Sequence, residues 1–95
     1  MSSIDTIVVE GEVKNDDYVK LAEHMIVCQG HKHWLAKKNP NRDEMVQKLA
    51  IHLWEARQDF RKDYKYPLKY WLWNAAKFGM LKITDEFRRE LKHSP

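Results

Sequence analysis

Apolar residues recur at helical spacing through the middle of the chain and predict a long helix that starts at Asn41. One side of it carries a continuous apolar stripe of Met45, Val46, Leu49, Leu53, Ala56 and Phe60. Glu44 follows Asn41 at the spacing of a capping box, in which two side chains satisfy backbone N–H groups at the helix start. The opposite side holds Ile51 and Trp54 among polar residues, with Gln47, Gln58, Glu44 and Glu55 beside them. That side is either a partner-binding face or a face that a neighbouring helix covers.

A shorter amphipathic helix precedes this one. It should begin near Asn15–Asp17, where capping and first-turn acidic residues stand. One face carries Tyr18, Leu21, Ala22, Met25 and Ile26. The helix falters near Gly30 or ends around Lys38, because residues 39–40 form an Asn-Pro break.

A third helix follows a basic, tyrosine-bearing loop at residues 61–66. Pro67 fits its first turn. One side carries Leu68, Trp71, Leu72, Ala75 and Gly79. The helix either continues through Gly79 to about Lys92 or restarts at Thr84.

Residues 1–15 hold a short β-prone patch from Ile7 to Val9, followed by Gly11. A lone strand has nothing to pair with, so we expect a flexible arm, or a strand that is ordered only in a complex. The predicted fold is therefore a small all-α domain of three to four helices at residues 16–95, preceded by this arm.

Charge is distributed unevenly along the 95 residues. Residues 1–60 carry eight Lys/Arg against ten Asp/Glu, whereas residues 61–95 carry nine against four. This polarity indicates an anionic partner for the C-terminal part. The single cysteine, Cys28, excludes an internal disulfide and favours a reducing compartment. No signal-peptide pattern and no apolar run of about 20 residues is present, so we expect a cytoplasmic protein with no membrane partner.

Aromatic and basic residues alternate along the third helix and the loop before it. On the helix, Tyr70, Trp73 and Lys77 cluster on one side, flanked by Lys69. Aromatic rings stack on unpaired bases and cations hold phosphates, so the pattern favours single-stranded nucleic acid. The alternative is a cationic helix whose aromatic residues all lie in the core.

Metal binding and catalysis have little support in the sequence. His24, Cys28 and His31 are spaced i, i+4 and i+7, with His33 nearby, but this is no established zinc-finger spacing. A Cys–His nucleophilic pair would lack an acid to orient the histidine. Three scattered glycines cannot build a phosphate loop. We therefore expect no enzymatic activity, no metal and no cofactor.

The run EMVQKLAIHLWEARQDF, followed by RKDYKYPLKYWLWNAAKFGM, resembles conserved region 2 of bacterial sigma factors. Residues 44–47 stand at the family's acid-apolar-Val-Gln start, and Phe60 stands at its closing phenylalanine. The family's aromatic helix is matched without a gap by Leu68, Tyr70, Trp71, Leu72, Trp73 and Ala76. The upstream run LAEHMIVCQGHKHW and the Tyr-Lys pair and proline of the turn are similar to the late-transcription sigma factors of T-even phages. The resemblance covers residues 16–92.

In that family the Val-Gln helix docks on the clamp coiled coil of the RNA polymerase β′ subunit. The resemblance implies this role for Glu44, Gln47, Lys48, Ile51 and Glu55, close to the face derived above, where Trp54 also lies. The family's aromatic helix captures bases of the melted −10 element, which implies base capture by Tyr70, Trp71 and Trp73. The implied DNA contacts of basic residues are Lys69 and Lys77 on phosphates, Lys65 in the preceding turn, and Lys82, Arg88 and Arg89 at the upstream duplex edge.

Three departures from the family modify this expectation. Lys48 replaces an acidic residue of many members, and Asn74-Ala75 replaces the paired tryptophans of primary sigma factors, as in alternative and phage members. Nothing in the sequence resembles region 4, which reads the −35 element and grips the polymerase flap. We therefore expect a simple −10-type promoter, or a second subunit or coactivator that supplies the region 4 function.

The sequence thus predicts a minimal sigma-like initiation factor that binds bacterial core RNA polymerase and recognises and melts a −10-type AT-rich element in the host cytoplasm. One alternative is a phage-encoded polymerase-binding inhibitor or appropriation factor that occupies the sigma site. Another is a small helical DNA-binding protein without polymerase contact.

Overall fold

Three long helices make up most of the domain, and the predicted all-α class is confirmed to that extent. The structure, a computed structural model, describes residues 4–9, 11–61 and 63–93. Its elements are α1 (Ile4–Ile7), β1 (Val8–Val9), β2 (Glu12–Val13), α2 (Tyr18–Cys28), α3 (Arg42–Asp59) and α4 (Leu68–His93). Short 3₁₀ segments at Lys14–Asp16 and Lys32–Leu35 join them. In the described part of the chain, no helix is both long and apolar enough to cross a membrane.

A small β-hairpin precedes the first long helix. Val8 lies opposite Val13 in an antiparallel pair, and Gly11 between the strands has φ +76°, a conformation open to glycine because it lacks a Cβ atom. Ile7, Val8 and Val13 are buried in the same core as the helices. The sequence pattern predicts a strand without a partner, and the structure differs because β2 supplies that partner. The described part of residues 1–15 therefore packs on the helices.

The start and end of α2 follow local backbone chemistry. Asp17 caps the helix, since its Oδ1 accepts a hydrogen bond of 2.9 Å from the Lys20 N–H, and this confirms the predicted start. The helix ends at Cys28, and Gly30 just beyond it has φ +86°. The first of the two predicted ends, near Gly30, is therefore the one observed.

The predicted capping box at the start of α3 is wrong. Asn41 makes no side-chain capping bond, because its backbone (φ −101°, ψ 8°) lies outside the extended conformation that an N-cap residue normally adopts. Asn39 acts there instead. Its Oδ1 accepts a 3.0 Å bond from the Asn41 N–H, and its Nδ2 donates a 2.8 Å bond to the Trp34 carbonyl. The Asn39 side chain thus fixes the turn between the 3₁₀ segment and α3.

α4 runs without interruption through both positions where the sequence allowed a break. Thr84 does not restart the helix, and its Oγ1 donates a 2.8 Å bond to the Met80 carbonyl one turn earlier. Gly79 allows close approach to α3. A Cβ atom built there would lie 2.6 Å from His52 Cδ2 and 3.1 Å from Leu49 Cδ1. The side chains that fill the core between the long helices are Leu21, Met25, Ile26, Leu49, Leu53, Leu72 and Met80.

We expect Gly79→Val to lower the free energy of unfolding by about 1–3 kcal/mol, because the new side chain would overlap His52 and Leu49. Urea titration followed by circular dichroism measures the change. Asn74→Val is the matched control, since it places the same side chain at an exposed position of the same helix. Equal urea midpoints for the two variants would show that α3 and α4 are not in close contact at Gly79.

Candidate functional site

The outward side of α3 is uncovered. Ile51 and Trp54 remain 57% and 51% exposed, and Gln47 and Gln58 beside them are exposed too. Among the described residues, no neighbouring helix packs over these side chains, so the covered alternative is excluded for them. We call this surface the α3 face. Its members are Glu44, Gln47, Ile51, Trp54, Glu55 and Gln58.

Lys48 borders the α3 face, where the family resemblance groups it, and also contacts α4. Its Nζ lies 3.1 Å from Glu86 Oε2 of α4 and 3.9 Å from Glu44 Oε1. The same Nζ lies 5.5 Å from the centre of the Phe87 ring. Lys48 therefore links α3 to α4, and its charge is already engaged within the domain.

Tyr70 is the aromatic residue that α4 presents most openly among those predicted to capture bases. Its side chain is 55% exposed, and the Lys69 Nζ lies 5.5 Å from the centre of its ring. Lys77 is exposed two turns further along the same line of the helix. We call Lys69, Tyr70 and Lys77 the α4 face. Lys65, in the turn before α4, is exposed as well.

Trp71 packs against the end of α3, whereas the family resemblance implies base capture for it. Its Nε1 donates a 2.7 Å hydrogen bond to the Ala56 carbonyl at the end of α3. Its ring centre lies 5.9 Å from that of Phe60 and 5.1 Å from that of Tyr64. An indole held in this way anchors the α3–α4 turn and leaves only part of its ring surface exposed.

Trp73 is less exposed than Tyr70 and is not bonded to α3 through its ring as Trp71 is. It is half-buried and packs against the core. Its backbone carbonyl accepts a 2.9 Å hydrogen bond from Gln29 Nε2, which ties α4 to the end of α2. Only part of its ring surface is therefore open to a ligand.

The three distal cations predicted to contact DNA are exposed but do not share one face. Arg88 continues the line of Tyr70 and Lys77 at a distance of about 27 Å from Tyr70, at 1.5 Å per residue. Lys82 lies on a different side of α4 from Arg88, since it lines the groove between α3 and α4 together with Ile51 and Glu55. By helical projection Arg89 lies on that second side too.

Three exposed aromatic residues lie outside the predicted site. Tyr64 and Tyr66 in the turn and Phe78 on α4 are 38%, 68% and 64% exposed. Leu81 on α4 is also exposed. Projection at 100° per residue gave no sign of the exposure of Phe78, because Phe78 follows Trp71 by seven positions and so falls next to the predicted apolar side of α4.

The His/Cys group near the end of α2 makes contacts within the protein. Cys28 Sγ lies 3.4 Å from His24 Nε2, and burial lowers the pKa of His24. The His31 ring packs beside Trp34, with 5.4 Å between centres. Within residues 4–9, 11–61 and 63–93, no group of three or more His, Cys, Asp or Glu side chains is placed to hold a metal ion.

Comparison of the chain with protein-family models, with curated proteins and with solved structures gives no match. Two consecutive helices present different surfaces, an apolar patch with acidic neighbours on α3 and an aromatic ring among cations on α4. Such a pair suits binding of a protein and of an anionic polymer.

Proposed function

We propose that this chain is a minimal sigma-like transcription factor that binds core RNA polymerase and holds unpaired bases of an AT-rich promoter element. The observation that carries this proposal is the simultaneous exposure of Ile51 and Trp54 on α3 and of Tyr70 on α4. The order and spacing of the sigma-like motifs indicate which ligand each of the two faces would bind. The α3 face would take the β′ clamp coiled coil, and the α4 face would take the non-template strand.

The chemistry of the α3 face supports a protein partner. Binding energy at protein interfaces comes mainly from a few large side chains that lose water at the centre of the contact, surrounded by a polar rim. Ile51 and Trp54 provide such a centre, and Gln47, Glu44 and Glu55 provide such a rim. Exposed apolar side chains of this size are costly in water unless a partner covers them.

The chemistry of the α4 face supports a single-stranded ligand. Extruding a base from a duplex costs a few kcal/mol, and stacking on an aromatic ring returns about 1–3 kcal/mol per base. Tyr70 offers an open ring, and Lys69 and Lys77 place positive charge beside it for the phosphates. Trp73 would add the exposed part of its ring to the stacking surface, while Trp71 would stabilise the α3–α4 turn.

We expect Tyr70→Ala to weaken binding of promoter DNA with a pre-melted −10 region by about 5- to 100-fold in the presence of core polymerase, because one stacking ring is lost. Binding of the matching duplex should change little. Phe78→Ala is the matched control, since Phe78 is an equally open aromatic residue on another side of α4. Fluorescence anisotropy with the two DNA forms measures both effects. Equal losses for Tyr70→Ala and Phe78→Ala would exclude a specific stacking role for Tyr70.

A polymerase-binding inhibitor or appropriation factor is the second candidate. The inward packing of Trp71 and the half-burial of Trp73 favour it, because only one of the three predicted rings is openly presented. Such a factor needs the α3 face to occupy the sigma site but needs no base capture. A partner subunit that supplies the upstream promoter contacts would favour the initiation factor instead.

A further inference from the structure

An open cleft of about 350 Å³ separates the N-terminal hairpin from α3. Its walls are formed by Glu12, Asp16, Tyr18, Trp54, Arg57 and Gln58. Because Trp54 belongs both to this cleft and to the α3 face, the two form one continuous surface. A partner bound to the α3 face would therefore also contact the cleft.

The cleft carries excess negative charge. Arg57 Nη2 lies 2.9 Å from Glu12 Oε1, so these two side chains neutralise each other. Asp16 is exposed and takes part in none of the ion pairs formed by the described residues. Burial raises the pKa of the Tyr18 hydroxyl, Arg57 opposes this, and the carboxylates of Asp16 and Glu12 add to it. Both carboxylates therefore lie within electrostatic reach of the same hydroxyl group.

We propose that this cleft receives an arginine side chain of the protein partner that docks on the α3 face, which makes the hairpin part of the docking surface. This rests on the proposed function. A guanidinium group stacks on an indole ring and pairs with a carboxylate, and the cleft offers both in Trp54 and Asp16. Nucleic acid does not fit, because its phosphates would face the Asp16 carboxylate, whose charge no ion pair among the described residues neutralises.

Asp16→Asn tests the proposal in the full chain, with purified core RNA polymerase as the probe. Asp16 has φ +52°, and asparagine tolerates this left-handed conformation, so the variant removes the charge and keeps the backbone. Asp63→Asn is the matched control, because Asp63 is an exposed aspartate in the α3–α4 turn and does not line the cleft. Biolayer interferometry gives the association and dissociation rates of each variant.

We expect Asp16→Asn to raise the dissociation rate by about 3- to 10-fold with little change in the association rate, because the Asp16 carboxylate would be covered and paired with the guanidinium group in the complex, and loss of such a pair acts mainly on dissociation. Asp63→Asn should match the wild type. A loss confined to the association rate, or no change at all while Ile51→Asp abolishes binding, would overturn the cleft proposal and leave the proposed function standing. Unchanged binding by Ile51→Asp would overturn the proposed function, and the cleft proposal with it.

Discussion

Ile51→Asp should weaken binding of the chain to core RNA polymerase by about 30- to 1,000-fold, the range expected when a central interface side chain is lost. Ile51 is 57% exposed, so the free chain gains no buried charge and should keep its helical circular dichroism signal. In the complex, the carboxylate would have to lose water inside an apolar contact, which is unfavourable without a paired cation. Titration of labelled chain with core polymerase measures the change.

Val27→Asp is the matched control for this variant. Val27 is an exposed apolar residue at the end of α2, outside the α3 face, so the same new charge enters elsewhere on the surface. It should bind core polymerase as the wild type does. Equal weakening by both variants would mean that added charge alone disturbs binding, and the α3 face would lose its assigned role.

Trp71→Ala should lower the free energy of unfolding by about 3 kcal/mol, since it leaves a cavity beside Phe60 and Tyr64 and removes the N–H group bound to the Ala56 carbonyl. Small domains have total stabilities of about 5–15 kcal/mol, so the urea midpoint should fall markedly. Trp71→Phe keeps an aromatic ring but loses the hydrogen bond, and it should cost about 1–2 kcal/mol.

The neighbouring variant Tyr70→Ala provides the comparison for Trp71. Tyr70 is exposed, so its removal should change the free energy of unfolding by less than about 1 kcal/mol. If Trp71→Ala retains wild-type stability and instead loses binding of single-stranded DNA, the ring is free to capture bases. The packing role assigned to it would then be wrong.

Helical periodicity predicted the parts of the molecule that depend on neighbours in sequence. The three long helices and the outward phase of Ile51 and Trp54 follow from residues three and four positions apart, which share one side of a helix. The exposure of Tyr70 follows from the same projection. These features needed no knowledge of distant contacts.

The features that could not be predicted depend on distant parts of the chain or on fine backbone geometry. Lys48 meets Glu86 across the helix pair, and the Trp71 N–H group meets a carbonyl of α3, so sequence spacing gives no sign of either contact. The hairpin has strands of two residues, too short for a pattern, and its apolar side chains are buried by the helices. The cap at α3 depends on the dihedral angles of Asn41.

The most direct test of the proposed division of labour is start-site mapping of transcripts made by purified core polymerase and this chain on AT-rich templates. If α3 holds the polymerase and α4 holds unpaired bases, transcripts should begin at a fixed distance from a shared AT-rich element. Ile51→Asp should abolish these transcripts, and Tyr70→Ala should reduce them. If the wild-type chain yields no defined start sites and suppresses transcription by polymerase carrying its host sigma factor, the chain is an inhibitor and the initiation role is contradicted.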